Sequence, residues 1–560
     1  MNKSALVFML AVILPFYAHA KRTYKNINAI ADEVIVKIKP AAVKDFKSQK
    51  SLNGFTVNSE LNLLAGTFAV LKINKKISVT QALTSLNKNS MVEYAEPNYS
   101  YKAIGNKGTY DPQYSKLWGL ENTGRNEPLP PPPPALGTVS NKGIKGVDIN
   151  AIKAWQLSKG SKAVVIAVID SGIDYNHPDL QSNMWVNQSE ANGTEGIDDD
   201  GNGFIDDIHG YDFANNDGDP MDGNGHGTHC SGTIAAEHDN GIGIAGVMDK
   251  VSLMGIKFLT DKGAGTSAAA LAAIDYATRM KVDIMSNSWG GGDYSQALKD
   301  VIVTANKAGI IFTASAGNSA DNNDYVPHYP SSYDVDNVIS VGAHNISDEL
   351  ASFSCYGKTS VHILAPGRNI LSTIPNNSYA VYSGTSMATP YVTGAVGLYL
   401  ALNGKTDPKT LRDDLMNSSV YGEQYGRKTL SGGRLDAYNF LAQITIPRPE
   451  KPDPSSWISL QVDPFQSAHP YIGGLPLSKT YQVPGAKYIR AKIYQFDMEQ
   501  FYDYISVKDS SGNELERIDG TGSNRYTEYI SGDTVVLDFN SDATVNYWGF
   551  LINEVEYILE

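Results

Sequence analysis

The chain has 560 residues, a formal net charge of −14, 42% hydrophobic and 19% charged residues, and two cysteines. That length exceeds one ordinary domain and leaves room for about three or four. The negative balance argues against a nucleic-acid partner, because phosphate binding needs clustered Lys and Arg, and two cysteines are too few for a disulfide framework.

At the N-terminus Lys3 precedes an apolar stretch over residues 5–18, and Ala18-His19-Ala20 offers an A-x-A cleavage site, so residues 1–20 read as a signal peptide. The stretch is too short for a convincing membrane anchor. No later run of about eighteen apolar residues appears, which predicts an exported protein with no membrane span, released outside the cell or retained in a bacterial periplasm. A monomer is expected. Residues 21–107 read as a small α+β unit: an alternating strand over 33–39, a helical stretch near 41–49, a strand over 66–73, a helical stretch over 79–87 and a final segment over 92–99.

Residues 108–446 carry the chemistry. Five consecutive prolines, Pro130 to Pro134, predict a stiff polyproline excursion on the surface. Residues 164–169 form a continuous, β-branched apolar run, which reads as a central parallel strand, and Asp170 follows at its C-terminal end. Open α/β sheets bind ligands at that end. Asp198-Asp199-Asp200-Gly201-Asn202-Gly203 then places oxygen donors at alternate positions before a Gly turn. Hard oxygen ligands suit Ca2+, with Asp198, Asp200, Asn202, Asp206 and Asp207 as the candidate set; Asp206 or Asp207 has to close the site because the twelfth position is His209. His226 lies between two glycines at the start of a small-residue stretch. Ser386 follows Gly384 and Thr385 and opens a second such stretch, with Pro390 in its first turn, where proline is tolerated. A serine hydroxyl needs an imidazole to take its proton, and the imidazole needs a carboxylate to hold its tautomer. A helix N-terminus also offers N–H groups to an oxyanion. His229, three residues after His226, invites a zinc reading; no third ligand motif supports it, so it reads as a packing residue.

Beyond a Pro-rich spacer at residues 447–456, residues 457–560 show short alternating strands separated by turn signals, which predicts a β-sandwich. Cys230 and Cys355 are expected to be free thiols.

The segments V-I-D-S-G-I-D with Asp170, G-H-G-T-H-C-S-G with His226 and G-T-S-M-A-T-P with Ser386, in that order, resemble the subtilisin family of secreted serine proteases. The resemblance covers about residues 108–445. It implies a three-layer α/β/α fold with a mainly parallel sheet, and protein or peptide substrates. Asn318, in T-A-S-A-G-N, matches the family's oxyanion motif. Ser288, Trp289 and Gly290 resemble the strand edge that pairs with substrate; Ala314, Ser315, Ala316 and Gly317 complete the cleft wall, and residues 322–330 are expected at the pocket base. His177 matches a structural position after the acid. Residues 21–107, through Y-A-E-P-N-Y at 94–99 especially, look like the family's inhibitory propeptide, which implies self-cleavage between Ala103 and Tyr110. Residues 457–560 resemble a CUB-like jelly roll, whose calcium-binding members imply a second site at Glu499, Asp503 and Asp542; the usual CUB disulfides are absent. Small and apolar cleft residues lean toward broad specificity for apolar side chains. A narrow processing protease, or an inactive scaffold binding through the CUB-like unit, are the alternatives.

Overall fold

The computed structural model describes residues 29–73, 77–103, 114–129, 141–449, 452–500, 502–512, 514–542 and 544–559. The signal peptide, the Pro130–Pro134 run and most of the predicted cleavage interval lie outside the described residues.

The central unit is built on a nine-stranded sheet. From one edge the order is Val420–Tyr421, Gly433–Arg434, Ile363–Pro366, Val338–His344, Ile311–Ser315, Ile284–Asn287, Gly160–Asp170, Lys250–Lys257 and Gly210–Asp212. Every pairing is parallel except the first. The Gly160–Asp170 strand shows why its sequence is apolar without a break: Ile166 and Val168 face one hydrophobic cluster, and Ala167 and Ile169 face the other. Successive side chains alternate faces, so a strand covered on both sides has no polar phase. Helices His226–Ala235 and Thr385–Asn403 cover one face, and Ser267–Arg279 and Gln296–Lys307 cover the other. Glycine sets how close the Thr385–Asn403 helix comes to the segment that leads into the Lys250–Lys257 strand. A Cβ at Gly394 would fall 2.5 Å from the Val247 Cβ, and one at Gly397 2.4 Å from the Met248 sulfur. The fold is the expected three-layer α/β/α arrangement.

The N-terminal unit is an antiparallel sheet in which the Ala29–Ile38 strand lies between Gly66–Lys72 and Val92–Ala103. It includes a strand, Phe55–Leu63, that the sequence reading did not contain. The helix Val79–Leu86 is started by a capping box between Ser78 and Gln81, and the helical stretch expected near 41–49 shrinks to two short turns, Pro40–Ala42 and Val43–Phe46. One sheet face (Val34, Val36, Ile38, Leu71) closes over the Val79–Leu86 helix. The opposite face (Ile35, Phe68, Val70) joins the core beneath the Ser267–Arg279 and Gln296–Lys307 helices. The unit is therefore docked, with an apolar seam shared across the boundary.

The C-terminal unit is a sandwich of two antiparallel sheets. The Ile458–Gln466, Gly549–Leu559, Ala486–Asp497 and Thr521–Tyr526 strands run through one, with Ile530–Ser531 alongside; the other orders Leu477–Gln482, Thr534–Asn540, Tyr504–Lys508 and Glu514–Ile518. Their inner faces share one core, including Ile489, Ile493, Val507, Leu537, Phe539 and Phe550. Among the described residues no helix is long and apolar enough to cross a membrane.

Candidate active site

Asp170 ends the central strand fully buried, and His226 opens its helix 3% exposed. His226 Nδ1 lies 2.8 Å from Asp170 Oδ1 and 3.0 Å from Oδ2, and the Ser171 N–H donates to Oδ1 at 2.7 Å. The glycines beside His226 have a geometric reason. Gly225 has φ of +96°, and a Cβ on Gly227 would sit 2.1 Å from the Gly172 carbonyl oxygen. Only glycine lets the helix start that close to the strand end. Asp222, which the sequence reading missed, ties the two segments together. Its carboxylate accepts from the Ser171 hydroxyl, from the N–H groups of Asn224, Gly225 and Thr228, and from the Thr228 hydroxyl. Burial raises its pKa while these bonds hold it down. An acid four residues before a helix start was its one visible signal, in the sense of a carboxylate satisfying orphan amides.

Ser386 is the second residue of the Thr385–Asn403 helix. Its hydroxyl donates to the Ser288 carbonyl at 3.0 Å, and the Ser288 hydroxyl donates back to the Ser386 carbonyl at 2.9 Å. Cys230, one turn beyond His226, points its thiol at the same carbonyl, 3.5 Å away. The two helices that carry His226 and Ser386 therefore touch next to both residues. Asn318 is aimed by the residue before Ser386: Thr385 donates to its Oδ1 from N–H at 2.9 Å and from hydroxyl at 3.0 Å. With Oδ1 engaged, the amide nitrogen is the group left to donate. Cys230 and Cys355 are both buried free thiols, and burial pushes the Cys230 thiol well up.

The last strand of the N-terminal unit lies across this region. Ser100, Tyr101 and Lys102 pair antiparallel with Thr266, Gly265 and Ala264 on one side, and Lys102 and Ala103 pair with Gly290 and Trp289 on the other. The Trp289 side chain is wholly buried, edge-on to Phe258 with ring centroids 4.7 Å apart, so this residue offers backbone rather than indole to a bound strand. Ala314, Ser315 and Ala316 are buried at the end of the Ile311–Ser315 strand, and Gly317 turns the chain with φ of +110°.

His229 is buried with Nε2 3.1 Å from both the Ile370 and Ala380 carbonyls, and it stacks on Tyr382 at 4.3 Å. Burial and then the charge of His226 push its pKa down to about 3. It is a packing residue. His177 accepts from the Asp179 N–H on one ring nitrogen and meets the Ser378 carbonyl with the other.

In the acidic loop, carboxylate oxygens of Glu190, Asp200 and Asp207 lie within 4.8 Å of one another. Glu190 was not in the predicted set. Asp198 accepts from the Asn202 and Gly203 N–H groups and Asp206 from that of Gly196, so those two brace the loop backbone. The Asn202 amide donates to Asp200 and Asp207. Burial raises Asp207 to about 6 against the hydrogen bonds of Tyr276, Asn187 and Asn202. In the C-terminal unit, Asp503 accepts from the Asp542 N–H at 2.7 Å and from the Tyr471 hydroxyl. Partial burial and then the charges of Asp542 and Asp503 raise Glu499, whose Oε2 is a buried atom without a hydrogen-bond partner among the described residues.

Comparison with known proteins agrees with this geometry. Residues 161–438 match the Subtilase family, and residues 17–98 match the Fervidolysin N-terminal prodomain. The chain is 35% identical to a thermophilic serine proteinase of Bacillus sp. (strain AK1) over 70% of its own length and 81% of that protein's. It is 38% identical to thermitase of Thermoactinomyces vulgaris, over 46% of this chain and 81% of thermitase. It is also 39% identical to subtilisin-like protease 1 of Plasmodium berghei, a match spanning about half of each (49% and 49%). The chain belongs to the subtilase family of serine proteases and carries a fervidolysin-like prodomain.

Proposed function

We propose that the protein is an exported endopeptidase in which Ser386 attacks the scissile carbonyl, His226 carries the proton, Asp170 orients His226, and the Asn318 amide with the Ser386 N–H holds the oxyanion. The observation that carries this reading is the Asp170–His226 pair, set where the His226 and Ser386 helices touch. Asp170 meets Nδ1, which leaves Nε2 as the proton carrier. The Ser386 N–H, in the first turn of its helix, has no intrahelical acceptor. Labelling by a fluorophosphonate probe that Ser386→Ala abolishes is the direct test. Asn318→Ala should lower kcat by about 10²- to 10³-fold with little change in KM, the size found for this donor in subtilisin rather than one obtained from this geometry. Steady-state kinetics on a peptide substrate checks it; an unchanged kcat removes Asn318 from the oxyanion role.

The prodomain acts as an intramolecular inhibitor on this reading. Residues 100–103 form the middle strand between Ala264–Thr266 and Trp289–Gly290, the way an extended substrate adds to a sheet edge. Processing follows between Ala103 and Tyr110. Substrates are proteins or peptides, with broad specificity favouring apolar residues. The signal peptide directs export.

Calcium is proposed as a structural cofactor. Glu190, Asp200 and Asp207, with Asn202 beside them, would hold the ion in the acidic loop, and Asp198 and Asp206 support the loop; the hard oxygen set fits. The buried Glu499 oxygen, without a hydrogen-bond partner among the described residues and beside Asp503 and Asp542, fits a second ion in the CUB-like C-terminal unit. Binding to the folded state alone raises stability, so EDTA should lower the melting temperature by roughly 5–10 °C, restored by added Ca2+. Calorimetry with and without chelator decides it, and coincident transitions would remove the calcium reading.

A further inference from the structure

The C-terminal sandwich touches the central unit at a place that leads straight to the cleft. The Glu514–Ile518 strand is the outer edge of its sheet, and an open edge exposes unpaired backbone groups. At Arg517 both are taken by one side chain: the Tyr325 hydroxyl accepts from the Arg517 N–H and donates to the Arg517 carbonyl, each at 2.8 Å. Burial raises the Tyr325 pKa to about 12, so the hydroxyl keeps its proton and can do both. Around this tie, Lys358 pairs with Glu528, and Arg427 donates to the Tyr529 carbonyl with its guanidinium 5.9 Å from the Tyr529 ring centroid. Cations on the central unit meet acids and carbonyls on the sandwich.

Tyr325 belongs to a loop that supports the cleft. The neighbouring Asp324 accepts from the N–H and hydroxyl of both Thr359 and Ser360 at 2.7–3.1 Å, which fastens this loop to the Lys358 segment. Asn323 donates to the Ala316 carbonyl at 2.8 Å. His328 packs so tightly under the cleft that a Cβ on Gly317 would lie 2.9 Å from its ring and one on Gly290 2.1 Å. The Tyr329 carbonyl accepts from the Gly291 N–H at 3.1 Å. The loop thus backs Trp289–Gly290 and the Ala316–Gly317 turn, whereas the side chains of Asn318 and Ser386 are held through Thr385 and Ser288.

We propose that the C-terminal unit is a fixed brace of the substrate cleft, with Tyr325 the positioning residue that transmits its hold to the strand edge at Trp289–Gly290. This rests on the reading of that edge as the substrate-pairing strand. Because the loop contacts the backbone of Ala316, Gly317, Gly290 and Gly291, while the Asn318 and Ser386 side chains are fixed by Thr385 and Ser288, loss of the brace acts on binding of extended substrates more than on the chemical step.

The test is Tyr325→Phe in the full chain, which keeps the ring and removes both hydrogen bonds. On a chromogenic peptide with at least four residues before the cut, KM should rise by about 3- to 10-fold, the size of a lost hydrogen-bonded tie, with kcat within twofold. A KM within twofold of the parent, or a kcat reduced by more than twofold, overturns the proposal. A second measurement needs no turnover. In Ser386→Ala protein, Tyr325→Phe should speed hydrogen–deuterium exchange across residues 316–329, and unchanged exchange there overturns the brace even where no peptide is hydrolysed. A parent that hydrolyses nothing would instead count against the protease reading alone. Should Tyr325→Phe not fold, Glu528→Gln, which loosens the Lys358 tie, is read by the same two measurements.

Discussion

Ser386→Ala should yield a chain that folds, keeps its prodomain covalently attached and has almost no peptidase activity. Among the described residues, the hydroxyl it removes donates to the Ser288 carbonyl. The methyl left behind suits a fully buried site at a helix start, and the buried Ser288 carbonyl loses this donor, so stability should fall by about 1–3 kcal/mol. The activity loss should be on the order of 10⁶-fold, the figure established for subtilisin, a member of this family. On the proposed reading Ser386 serves both turnover and self-processing, so the two should vanish together. Intact mass of the secreted product reads processing, and peptide hydrolysis reads turnover. Normal maturation of the alanine variant without any added protease would end the self-cleavage reading.

Removing one prodomain carboxyl should loosen the docked prodomain by about 10- to 100-fold. Glu96 is 7% exposed and caps the Gln296–Lys307 helix, accepting from the Ser295 hydroxyl at 2.5 Å and from the Gln296 and Ala297 N–H groups at 2.8 and 3.2 Å. Loss of a cap and of a buried hydrogen-bond set costs about 1–3 kcal/mol. Glu96→Ala should therefore release the processed prodomain earlier, read as loss of co-eluting prodomain and a shorter activation lag.

The same carboxyl predicts a pH dependence. Burial raises Glu96 to about 7 even though the Ser295 hydroxyl and the Gln296 and Ala297 amides pull the other way. In the released prodomain the burial is gone and an ordinary carboxylate pKa near 4.5 returns. The docked form thus binds the proton more tightly. Its gain from protonation is fully present below about pH 4.5 and is lost as pH rises through about 7. Prodomain affinity should fall by at least about tenfold across that window, and the slope should flatten in Glu96→Ala. Retention that does not vary with pH between 4.5 and 7 would contradict this account of Glu96.

Much of the active site was legible because its chemistry is concentrated in short segments. Gly225 and Gly227 stand where the backbone must turn or approach closely, which is why glycines flank His226. The unbroken apolar run before Asp170 could only be a strand covered on both faces. Other parts were hidden for identifiable reasons. The Phe55–Leu63 strand alternates, but Val57 and Leu61 are only half-buried and the residues between them are polar and mostly exposed; an edge-side strand carries little hydrophobic signal. Trp289 resembles part of a substrate-pairing strand edge, but the sequence does not tell whether its ring or its backbone meets the bound strand; the ring packs on Phe258 and the backbone pairs with Ala103. Glu190 joins Asp200 and Asp207 only because the Gln188–Ala191 helix folds back over the acidic loop.

By itself, then, the amino-acid order determined the three-unit organisation, the parallel strand, and the family resemblance of the segments around Asp170, His226 and Ser386, since each of these is carried by short stretches of residues close in sequence. The tertiary structure alone decided the contacts between distant segments. Examples are the Asp222 brace between two loops, the Glu96 cap on a helix of another unit, and a tyrosine hydroxyl closing a sheet edge 192 positions away. Periodicity and local motifs report which side of an element is buried. They carry no record of which partner buries it, because one hydrogen-bonding or apolar surface can be satisfied by many different neighbours.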